Sequence, residues 1–337
     1  MKIIVRVIQT AGLLIGIVII IGIGLFISTA GDHGVPDTVA TDPTIPHIEI
    51  DGVVFHAETF GDPQNPTVVV VHGGPGGNYG YLLNLHQLEN DYFVVFYDQR
   101  GSGLSPRVDA SELSLESSIA DLHRVVTHYG QGEPVYLVGH SWGAMLVAGY
   151  LGQHPEFVAK AALAEPGALN NASLARFSER QSNSQGLGFY RVLLPTIFET
   201  FHMKPQDTDA INDYISGRMA KAFVGSSASG YTCAGEPVST EEPNVPVPPS
   251  RFGSTAFNTI FGPSTDLSQI GVVAHNYTDE VLFIASECSA FTGEKLQRAQ
   301  MTTFPKTRLV VIPNAGHEMF GDNPSASLAV IREYFES

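Results

Sequence analysis

The chain contains 337 residues, of which 43% are apolar and 15% are charged, and its net charge at pH 7 is −16. Soluble proteins average about 25% charged residues, so charge is scarce in this sequence. The acidic balance argues against nucleic-acid binding, which needs basic patches. Only two cysteines are present, too few for a cysteine-rich zinc cluster, so we expect no metal. The length suits an α/β core with an insertion.

The N-terminal segment is strongly apolar and has no charged residue between positions 7 and 31. About 25 residues at 1.5 Å each give roughly 37 Å of helix, enough to cross a bilayer. Lys2 and Arg6 precede the segment, whereas Asp32 and Asp37 follow it. This charge bias predicts a single-pass helix with its N-terminus in the cytoplasm and the remaining chain outside.

Two other interpretations of residues 1–30 stay open. Small residues around Ser28-Thr29-Ala30 are compatible with a cleaved signal peptide and secretion. The apolar stretch is long for such a peptide, which favours an uncleaved anchor. A buried core helix is disfavoured because the stretch has no polar face. Residues 31–46 are rich in Pro, Asp and Thr and are predicted to be a linker.

A predicted hairpin that turns at Asp51-Gly52 opens the next part of the chain. It is followed by short β-branched stretches typical of buried parallel strands. These predicted strands are residues 67–74, 92–99, 134–140, 160–166, 280–286 and 308–316. Amphipathic helical patterns such as 115–130 and 142–154 lie between most of them. The alternation predicts an α/β fold with a mostly parallel, doubly wound sheet over residues 47–167 and 270–337.

The alternation fails between these two parts of the predicted core. Residues 168–269 contain the amphipathic pieces LARFSERQ and DAINDYISGRMAKAF and a Pro-rich segment, residues 235–250. We therefore predict a mainly helical cap that is inserted between two core strands. The Pro-rich segment is interpreted as a surface loop.

A serine motif, Gly139-His140-Ser141-Trp142-Gly143, joins a predicted strand to a predicted helix. The G-x-S-x-G pattern alone is weak, but this strand–turn–helix context is the one that a nucleophile elbow requires. The flanking glycines allow the tight turn on which such a serine lies. The alternative is an ordinary turn with a surface serine. We favour Ser141 as a catalytic nucleophile.

A serine hydroxyl needs a base, and His317 follows the last predicted strand. Loops that follow parallel strands meet at one sheet edge, so His317 is expected near Ser141. The alternative is a plain loop histidine. The order Ser before His, far apart in sequence, matches the α/β-hydrolase arrangement.

Glycine-rich residues 72–77, HGGPGG, follow the first long core strand. Their backbone can approach a substrate closely, and the amides of Gly74 and Trp142 are predicted to bind the oxyanion of a tetrahedral intermediate. A phosphate-binding loop is the alternative, but the P-loop pattern is absent. In the next motif, Asp98 and Arg100 are predicted to form a buried pair that braces the site.

The two cysteines, Cys233 and Cys288, are predicted to form a disulfide outside the cytoplasm. Two unrelated buried thiols are the alternative. The bridge would connect the cap to the loop after the penultimate core strand.

Four motifs together make the chain resemble the proline iminopeptidase branch of the α/β-hydrolase superfamily. They are HGGPGG (72–77), DQRGSG (98–103), GHSWG (139–143) and a late Gly-His pair (316–317). The resemblance implies an α/β-hydrolase fold and a cofactor-free serine hydrolase. It assigns Ser141 as nucleophile, His317 as base, and Gly74 and Trp142 as oxyanion donors.

The catalytic acid departs from the family pattern, because Ser289 stands where the family has an aspartate. A carboxylate is still needed to orient the histidine. Glu287 lies nearest in sequence and is our first candidate, since glutamate serves in such triads. Glu165 is the second candidate and Glu294 a distant third. Members of the branch also bind the substrate ammonium group with carboxylates of the cap. The candidates in this chain are Glu165, Glu236, Glu241 and Glu242. The last three are more typical of solvated charges in a loop.

The sequence therefore favours a membrane-anchored serine hydrolase outside the cytoplasm, acting as a proline iminopeptidase-like aminopeptidase through an acyl-enzyme. An esterase or amidase on small molecules would use the same site. A non-catalytic binding protein on a hydrolase scaffold is the alternative from another class. Epoxide hydrolases and haloalkane dehalogenases are disfavoured, because they need aspartate at the position of Ser141. We expect a short-peptide or small-molecule substrate and no cofactor, while the oligomeric state is not indicated.

Overall fold

The computed structural model describes residues 2–170, 173, 187–225, 229–233, 242–262 and 266–337. The strands are β1 (His47–Ile50), β2 (Val53–Phe60), β3 (Thr67–Val71), β4 (Phe93–Tyr97), β5 (Val135–His140), β6 (Val158–Ala164), β7 (Val281–Ser286) and β8 (Thr307–Ile312). Within the described part, these eight strands form one sheet in the order β1-β2-β4-β3-β5-β6-β7-β8. The first two pairs in this order, β1 with β2 and β2 with β4, are antiparallel, and the other five pairs are parallel.

The predicted hairpin is present, because Ile50 of β1 pairs with Val53 of β2 across a two-residue turn. Asp51 and Gly52 have φ angles of 50° and 79°. Positive φ at both central residues is the requirement of the tight turn that matches strand twist, and Asp-Gly satisfies it.

The helices of the described residues are α1 (Lys2–Ser28), α2 (Leu115–Gly130), α3 (Trp142–Gln153), α4 (Leu187–Thr200), α5 (Ala210–Val224), α6 (Ser254–Ile260), α7 (Gln269–Ala274), α8 (Glu294–Gln300), α9 (Met319–Asp322) and α10 (Pro324–Glu336). Short 3₁₀ helices cover Gly80–Leu88, Ala110–Glu112, Pro155–Phe157 and Met301–Thr303. The side chain of Ser114 accepts a hydrogen bond from the amide of Ser117 and so caps α2 at its N-terminus.

The sheet is buried on both faces, which explains its β-branched strands. Alternate side chains of β3 lie on opposite faces of the sheet. Val69 and Val71 pack with α2 and α3, whereas Val68 and Val70 pack with α10 and the 3₁₀ helix Gly80–Leu88. Helices on both faces of a mostly parallel sheet confirm the predicted α/β-hydrolase architecture.

A mostly helical insert lies between β6 and β7, as predicted, and the described part of it contains α4 to α7. The predicted helix at DAINDYISGRMAKAF corresponds to α5. The predicted piece LARFSERQ lies outside the described residues. Asp213 of α5 accepts hydrogen bonds from the amide and hydroxyl of Ser254 at 2.9 and 2.8 Å, and it also pairs with Arg251. These buried contacts join α5 to α6.

Residues 31–46, the predicted linker, contain no helix or strand, but the segment packs against the rest of the chain. Thr38 and Val39 are buried, and the amide of Val39 donates to the carbonyl of Leu104 at 2.9 Å. The side chain of Gln206 donates to the carbonyl of Val35 at 2.8 Å. The segment packs on the core and the insert because its backbone finds hydrogen-bond partners there.

Candidate active site

Ser141 lies between the last residue of β5 and the first residue of α3, with φ 56° and ψ −119°. A non-glycine residue in this region of backbone space is strained, and such strain is typical of functional turns. The amide of Ser141 donates to the carbonyl of Ala164 at 2.9 Å, which holds the turn against β6. This is the geometry of a nucleophile elbow.

The two glycines of the motif are required because backbone from neighbouring elements approaches them. A Cβ at Gly143 would lie 2.0 Å from the carbonyl oxygen of Val71 on β3. A Cβ at Gly139 would lie 2.7 Å from Cα of Ala144. Any side chain at either position would push α3 away from the sheet.

The HGGPGG loop passes directly against the nucleophile. A Cβ at Gly73 would lie 3.0 Å from Cβ of Ser141. Gly74 has a φ of 130°, which only glycine adopts readily, and the Gly74–Pro75 peptide bond is cis. The carbonyl of Gly76 accepts from the amide of Gly253 at 2.7 Å, so the loop is also held by the insert.

His317 lies on the same sheet edge, in the loop after β8. Its ring centroid is 4.5 Å from that of His140, the residue before Ser141. Nδ1 of His317 is 2.5 Å from Oε2 of Glu165, and an ionised carboxylate only accepts hydrogen bonds. Nδ1 therefore carries the proton, which leaves the lone pair of Nε2 available as a base.

Glu165 is completely buried, so its negative charge needs several partners. Oε1 accepts from the amide of Ser286 at 2.7 Å and from its hydroxyl at 2.5 Å. Oε2 accepts from the hydroxyl of Thr292 at 2.6 Å, in addition to His317. Four donors offset the desolvation of the carboxylate. Glu165 itself has a φ of 44°, a second strained residue at this edge.

The geometry corrects our first choice of acid. Glu287 is exposed, and its carboxylate accepts from the amide of Asn314 at 2.8 Å instead of from His317. Ser289, at the family's aspartate position, contacts the hydroxyl of Thr292 at 3.0 Å. The third candidate, Glu294, pairs with Arg298 at the surface. The partner of His317 is Glu165, the second candidate.

The same contacts correct the substrate-binding role predicted for Glu165. Its oxygens already accept four hydrogen bonds inside the protein, so they are not free to bind a substrate ammonium group. Glu242 is exposed. Glu236 and Glu241 lie outside the described residues.

Tyr81 and His140 connect the HGGPGG loop to the backbone of His317. The amide of Gly73 donates to the Tyr81 hydroxyl at 2.8 Å, and this hydroxyl is 2.8 Å from Nδ1 of His140. Nε2 of His140 is 2.8 Å from the carbonyl of His317, which can only accept. Nε2 therefore donates, and Nδ1 accepts from Tyr81. Burial lowers the pKa of His140 well below its usual value, and the nearby His317 lowers it further.

Gln99 is a further positioning residue that the sequence analysis did not single out. Its side-chain amide donates to the carbonyl of His72 at 2.7 Å and accepts from Nε1 of Trp142 at 2.9 Å. Gln99 thus ties the HGGPGG loop to the elbow. The predicted pair between Asp98 and Arg100 is wrong: Asp98 binds Nδ1 of His56 at 2.7 Å, and Arg100 binds Asp121 at 2.7 Å.

The insert covers His317 from one side. The ring of Tyr231 stacks on the ring of His317 with centroids 4.4 Å apart, and the carbonyl of Tyr231 accepts from the His317 amide at 2.7 Å. Two residues later, Cys233 is bonded to Cys288 as a disulfide. The bridge therefore fastens this part of the insert to the loop after β7.

Two acidic residues follow His317. Glu318 is half-buried, and burial raises the pKa of its carboxyl, with a smaller opposing effect from His317. The amide of Gly316 donates to Asp322 at 2.7 Å, which braces the loop of His317. Burial also raises the pKa of Asp322.

Comparisons with known proteins agree with this architecture. Residues 66–210 match a family model described as the alpha/beta hydrolase fold. The chain is 25% identical over 301 residues to epoxide hydrolase 3 of Xenopus tropicalis, covering 85% of the chain and 75% of the relative. It is also 25% identical over 305 residues to a proline iminopeptidase of Lactiplantibacillus plantarum, covering 84% and 97%.

Among solved structures, a proline iminopeptidase of Mycobacterium smegmatis is similar with a TM-score of 0.59 and 20% identity. The match covers 86% of the chain and 97% of that structure. Identity at this level shows the fold alone. The chain therefore has the α/β-hydrolase fold, and it is similar at 25% identity to a proline iminopeptidase and an epoxide hydrolase.

Proposed function

We propose that the protein is a serine hydrolase that acts through an acyl-enzyme, with Ser141 as nucleophile, His317 as base and Glu165 as acid. The observation that carries this proposal is the 2.5 Å contact between Nδ1 of His317 and the buried Glu165 carboxylate, beside the strained elbow serine. The arrangement of acid, base and nucleophile follows the logic of a catalytic triad.

The reaction follows from the protonation of His317. Nε2 removes the proton of Ser141 Oγ as this oxygen attacks the substrate carbonyl. His317 then gives the proton to the leaving group, so the acyl group stays on Ser141. Water, activated in the same way, releases the acid product and restores the serine. Glu165 stabilises the imidazolium that forms in each step.

We assign the backbone amides of Gly74 and Trp142 to the oxyanion. The Trp142 amide lies at the N-terminus of α3, where amides lack partners inside the helix. The close approach of Gly73 to Ser141 brings the next amide, that of Gly74, to the same side of the nucleophile. Two such donors stabilise the tetrahedral intermediate.

For the substrate we favour a proline iminopeptidase-like aminopeptidase activity, because the motifs resemble that branch and one long match carries that name. We assign Glu318 to the substrate ammonium group. Among the described residues it has neither a hydrogen bond nor an ion pair through its carboxylate, and it directly follows His317. Burial raises the pKa of the Glu318 carboxyl, and a bound ammonium group would oppose this effect, because an opposite charge favours the ionised form.

An esterase or amidase on small molecules is the second candidate, because the same triad cleaves both bonds. The similarity to an epoxide hydrolase does not extend to the nucleophile, since this chain has Ser141 where such enzymes need aspartate. A non-catalytic scaffold would have no need for strained residues at Ser141 and Glu165.

A fluorophosphonate probe tests the catalytic proposal. We expect the wild-type protein to be labelled and the Ser141→Ala variant to be unlabelled, with turnover reduced by about a millionfold. Equal labelling of both proteins would disprove Ser141 as the nucleophile.

Aminoacyl-arylamides and matched N-acetylated or ester substrates test the substrate class. Glu318→Gln is expected to raise KM by about tenfold for a substrate with a free amino group and to leave ester KM unchanged. If only esters are hydrolysed, the aminopeptidase assignment is wrong and the esterase remains.

We also propose that α1 remains uncleaved as a membrane anchor. Its apolar part, Ile8–Ser28, has a mean hydropathy of 2.7 and is not buried by the rest of the described chain. An anchor and a signal sequence both have these properties. The N-terminal sequence of the protein isolated from membranes distinguishes them: a first residue near Gly31 would mean cleavage.

A further inference from the structure

We propose that α4 is an interfacial helix, so that the insert covering the active site rests on the surface of the lipid bilayer. The inference rests on the anchoring role proposed for α1. Helix α1 is in contact with α4 and with the residues that follow it. A Cβ at Gly22 of α1 would lie 3.9 Å from the ring of Phe198 on α4. The ring of Phe26 lies 4.4 Å from that of His202, and Nε2 of His202 donates to the carbonyl of Phe26 at 2.9 Å.

These contacts determine how deep α4 can lie. The apolar part of α1 has 21 residues, which is about 31 Å of helix and matches the bilayer core. Gly22 is six residues before Ser28, or about 9 Å inside the end of that span. A helix that packs at Gly22 and Phe26 must therefore lie at the boundary between head groups and acyl chains.

The exposed side of α4 has the chemistry that this boundary requires. Tyr190 and Leu194 of α4 and Phe201, which directly follows the helix, are 52%, 48% and 63% exposed, although all three are large side chains with mainly apolar surface. With the half-buried Ile197 they follow the spacing i, i+4, i+7 and i+11, which places them on one face. Outside α1, they are three of the six exposed large apolar side chains in the described part of the chain. Such a cluster marks an interaction surface.

The charged side chains of α4 are compatible with a position at the lipid surface. Glu199 is turned toward α5, where it accepts from Tyr214 at 2.8 Å and from Arg218 at 3.0 Å. Arg191 is exposed beside Tyr190, and its long side chain can extend to lipid phosphates. An apolar stripe with tyrosine and arginine at its edge is typical of helices that lie in the membrane interface.

The interface is connected to the active site through buried contacts. Helix α4 contacts α5 through Glu199, and Asp213 of α5 binds Ser254 at the start of α6. The residue before it, Gly253, donates to the carbonyl of Gly76 in the HGGPGG loop. Buried contacts among the described residues of the insert thus lead from α4 to the HGGPGG loop.

Depth-dependent quenching of a fluorescent label in lipid nanodiscs tests the inference. The two native cysteines are bonded to each other, so one introduced cysteine is the single reactive thiol. The full chain is reconstituted in phosphatidylcholine and phosphatidylglycerol, with bimane attached to Leu194→Cys or Phe201→Cys. We expect phosphatidylcholine with a doxyl group near the head group to reduce the fluorescence of either label by about half.

Val272→Cys is the matched control, because Val272 is 57% exposed but lies on α7. Helix α7 packs at the end of α3 that is remote from Ser141, where a Cβ at Gly152 would be 2.3 Å from the carbonyl of Val273. Its label should be quenched by no more than about a tenth. A label on Ile15→Cys reports whether α1 itself is in the bilayer.

The outcomes separate the two proposals. Quenching at Ile15 and Leu194 but not at Val272 supports the interfacial helix. Quenching at Ile15 with Leu194 equal to Val272 overturns the interfacial helix and leaves the anchor intact. Equal, weak quenching at all three positions overturns both. Fluorophosphonate labelling of the same samples reports on the hydrolase proposal independently.

Discussion

The loops after β6 and β7 each begin with a glutamate, but the glutamate after β6 is buried against His317 and the one after β7 is exposed. Glu165 directly follows β6, and its amide still donates to the carbonyl of Ile284 on β7 at 2.9 Å. The amide of Glu287 donates instead to the carbonyl of Ile312 on β8 at 3.0 Å. One carboxylate is enclosed by four donors, and the other is exposed to solvent.

Side-chain alternation along β7 explains the difference. Successive side chains of an extended chain point in opposite directions. Ser286 points toward Glu165, as its 2.5 Å hydrogen bond shows, so Glu287 must point the other way, toward Asn314. Glu287, one position after Ser286, therefore points away from His317, whereas Glu165, at the end of the neighbouring strand β6, points toward it.

Substitution of the two glutamates should change kcat by very different amounts. Glu165→Gln should reduce kcat by about 10³- to 10⁴-fold, because the neutral amide can no longer stabilise the imidazolium of His317. Glu287→Gln, the matched control, should change kcat by less than about threefold, since its side chain is exposed. Steady-state kinetics on an activated ester or arylamide measure both. The reverse ranking would reject Glu165 as the acid.

An aspartate placed in the loop after β7 should restore part of the lost activity. Ser289 lies 3.0 Å from the Thr292 hydroxyl, which is itself 2.9 Å from Nδ1 of His317. We expect Ser289→Asp in the Glu165→Gln background to recover about tenfold to a hundredfold in kcat, because a carboxylate returns close to the imidazole. Ser289→Asn in the same background is the control, and equal recovery by both would show that charge is not the cause.

The disulfide should have a smaller effect on turnover and a clear effect on stability. Its removal in the double variant Cys233→Ser and Cys288→Ser releases the part of the insert that stacks on His317. We expect kcat to fall by about threefold to tenfold, equivalent to about 0.7–1.4 kcal/mol. Opening a bridge between residues 55 positions apart also removes about 4 kcal/mol of stabilisation in the chain-entropy model.

Thermal unfolding and kinetics of the same double variant separate these effects. A lower Tm with unchanged kcat would mean that the bridge stabilises the protein without positioning the site.

The smallest expected effect is a decrease in the free energy of unfolding at acidic pH, caused by the protonation of His140 in the unfolded chain. Burial lowers the pKa of His140 in the folded state, so below about pH 6.5 the unfolded chain binds a proton that the folded chain does not. The free energy of unfolding should therefore fall as pH decreases, by up to about 1.4 kcal/mol per pH unit from this group.

Denaturant titrations between pH 7 and pH 5 measure this dependence. His140→Gln should show a shallower fall than the wild-type protein, because the titrating group is absent. His47→Gln is the control, since His47 is exposed and should leave the pH dependence unchanged. An unaltered slope in His140→Gln would mean that other groups, such as the buried His72, dominate.

Local patterns were sufficient for the fold and for two of the three residues of the proposed triad. The turn at Asp51-Gly52, the buried parallel strands, the capped helix α2 and the elbow around Ser141 each depend on residues close together in sequence. Backbone sterics and side-chain periodicity act over that range, so these features can be recognised before any tertiary contact is known. The position of His317 followed from the rule that loops after parallel strands share one edge.

Tertiary structure alone decided which carboxylate reaches His317, which partners Asp98 and Arg100 take, and how residues 31–46 pack. Each depends on the direction of a side chain, or of the backbone, relative to elements far away in sequence. Glu165 and Glu287 both directly follow buried strands, so no local pattern separates them. Only the pairing of β6 with β7, together with the hydroxyls of Ser286 and Thr292, makes one of them the buried partner of the histidine.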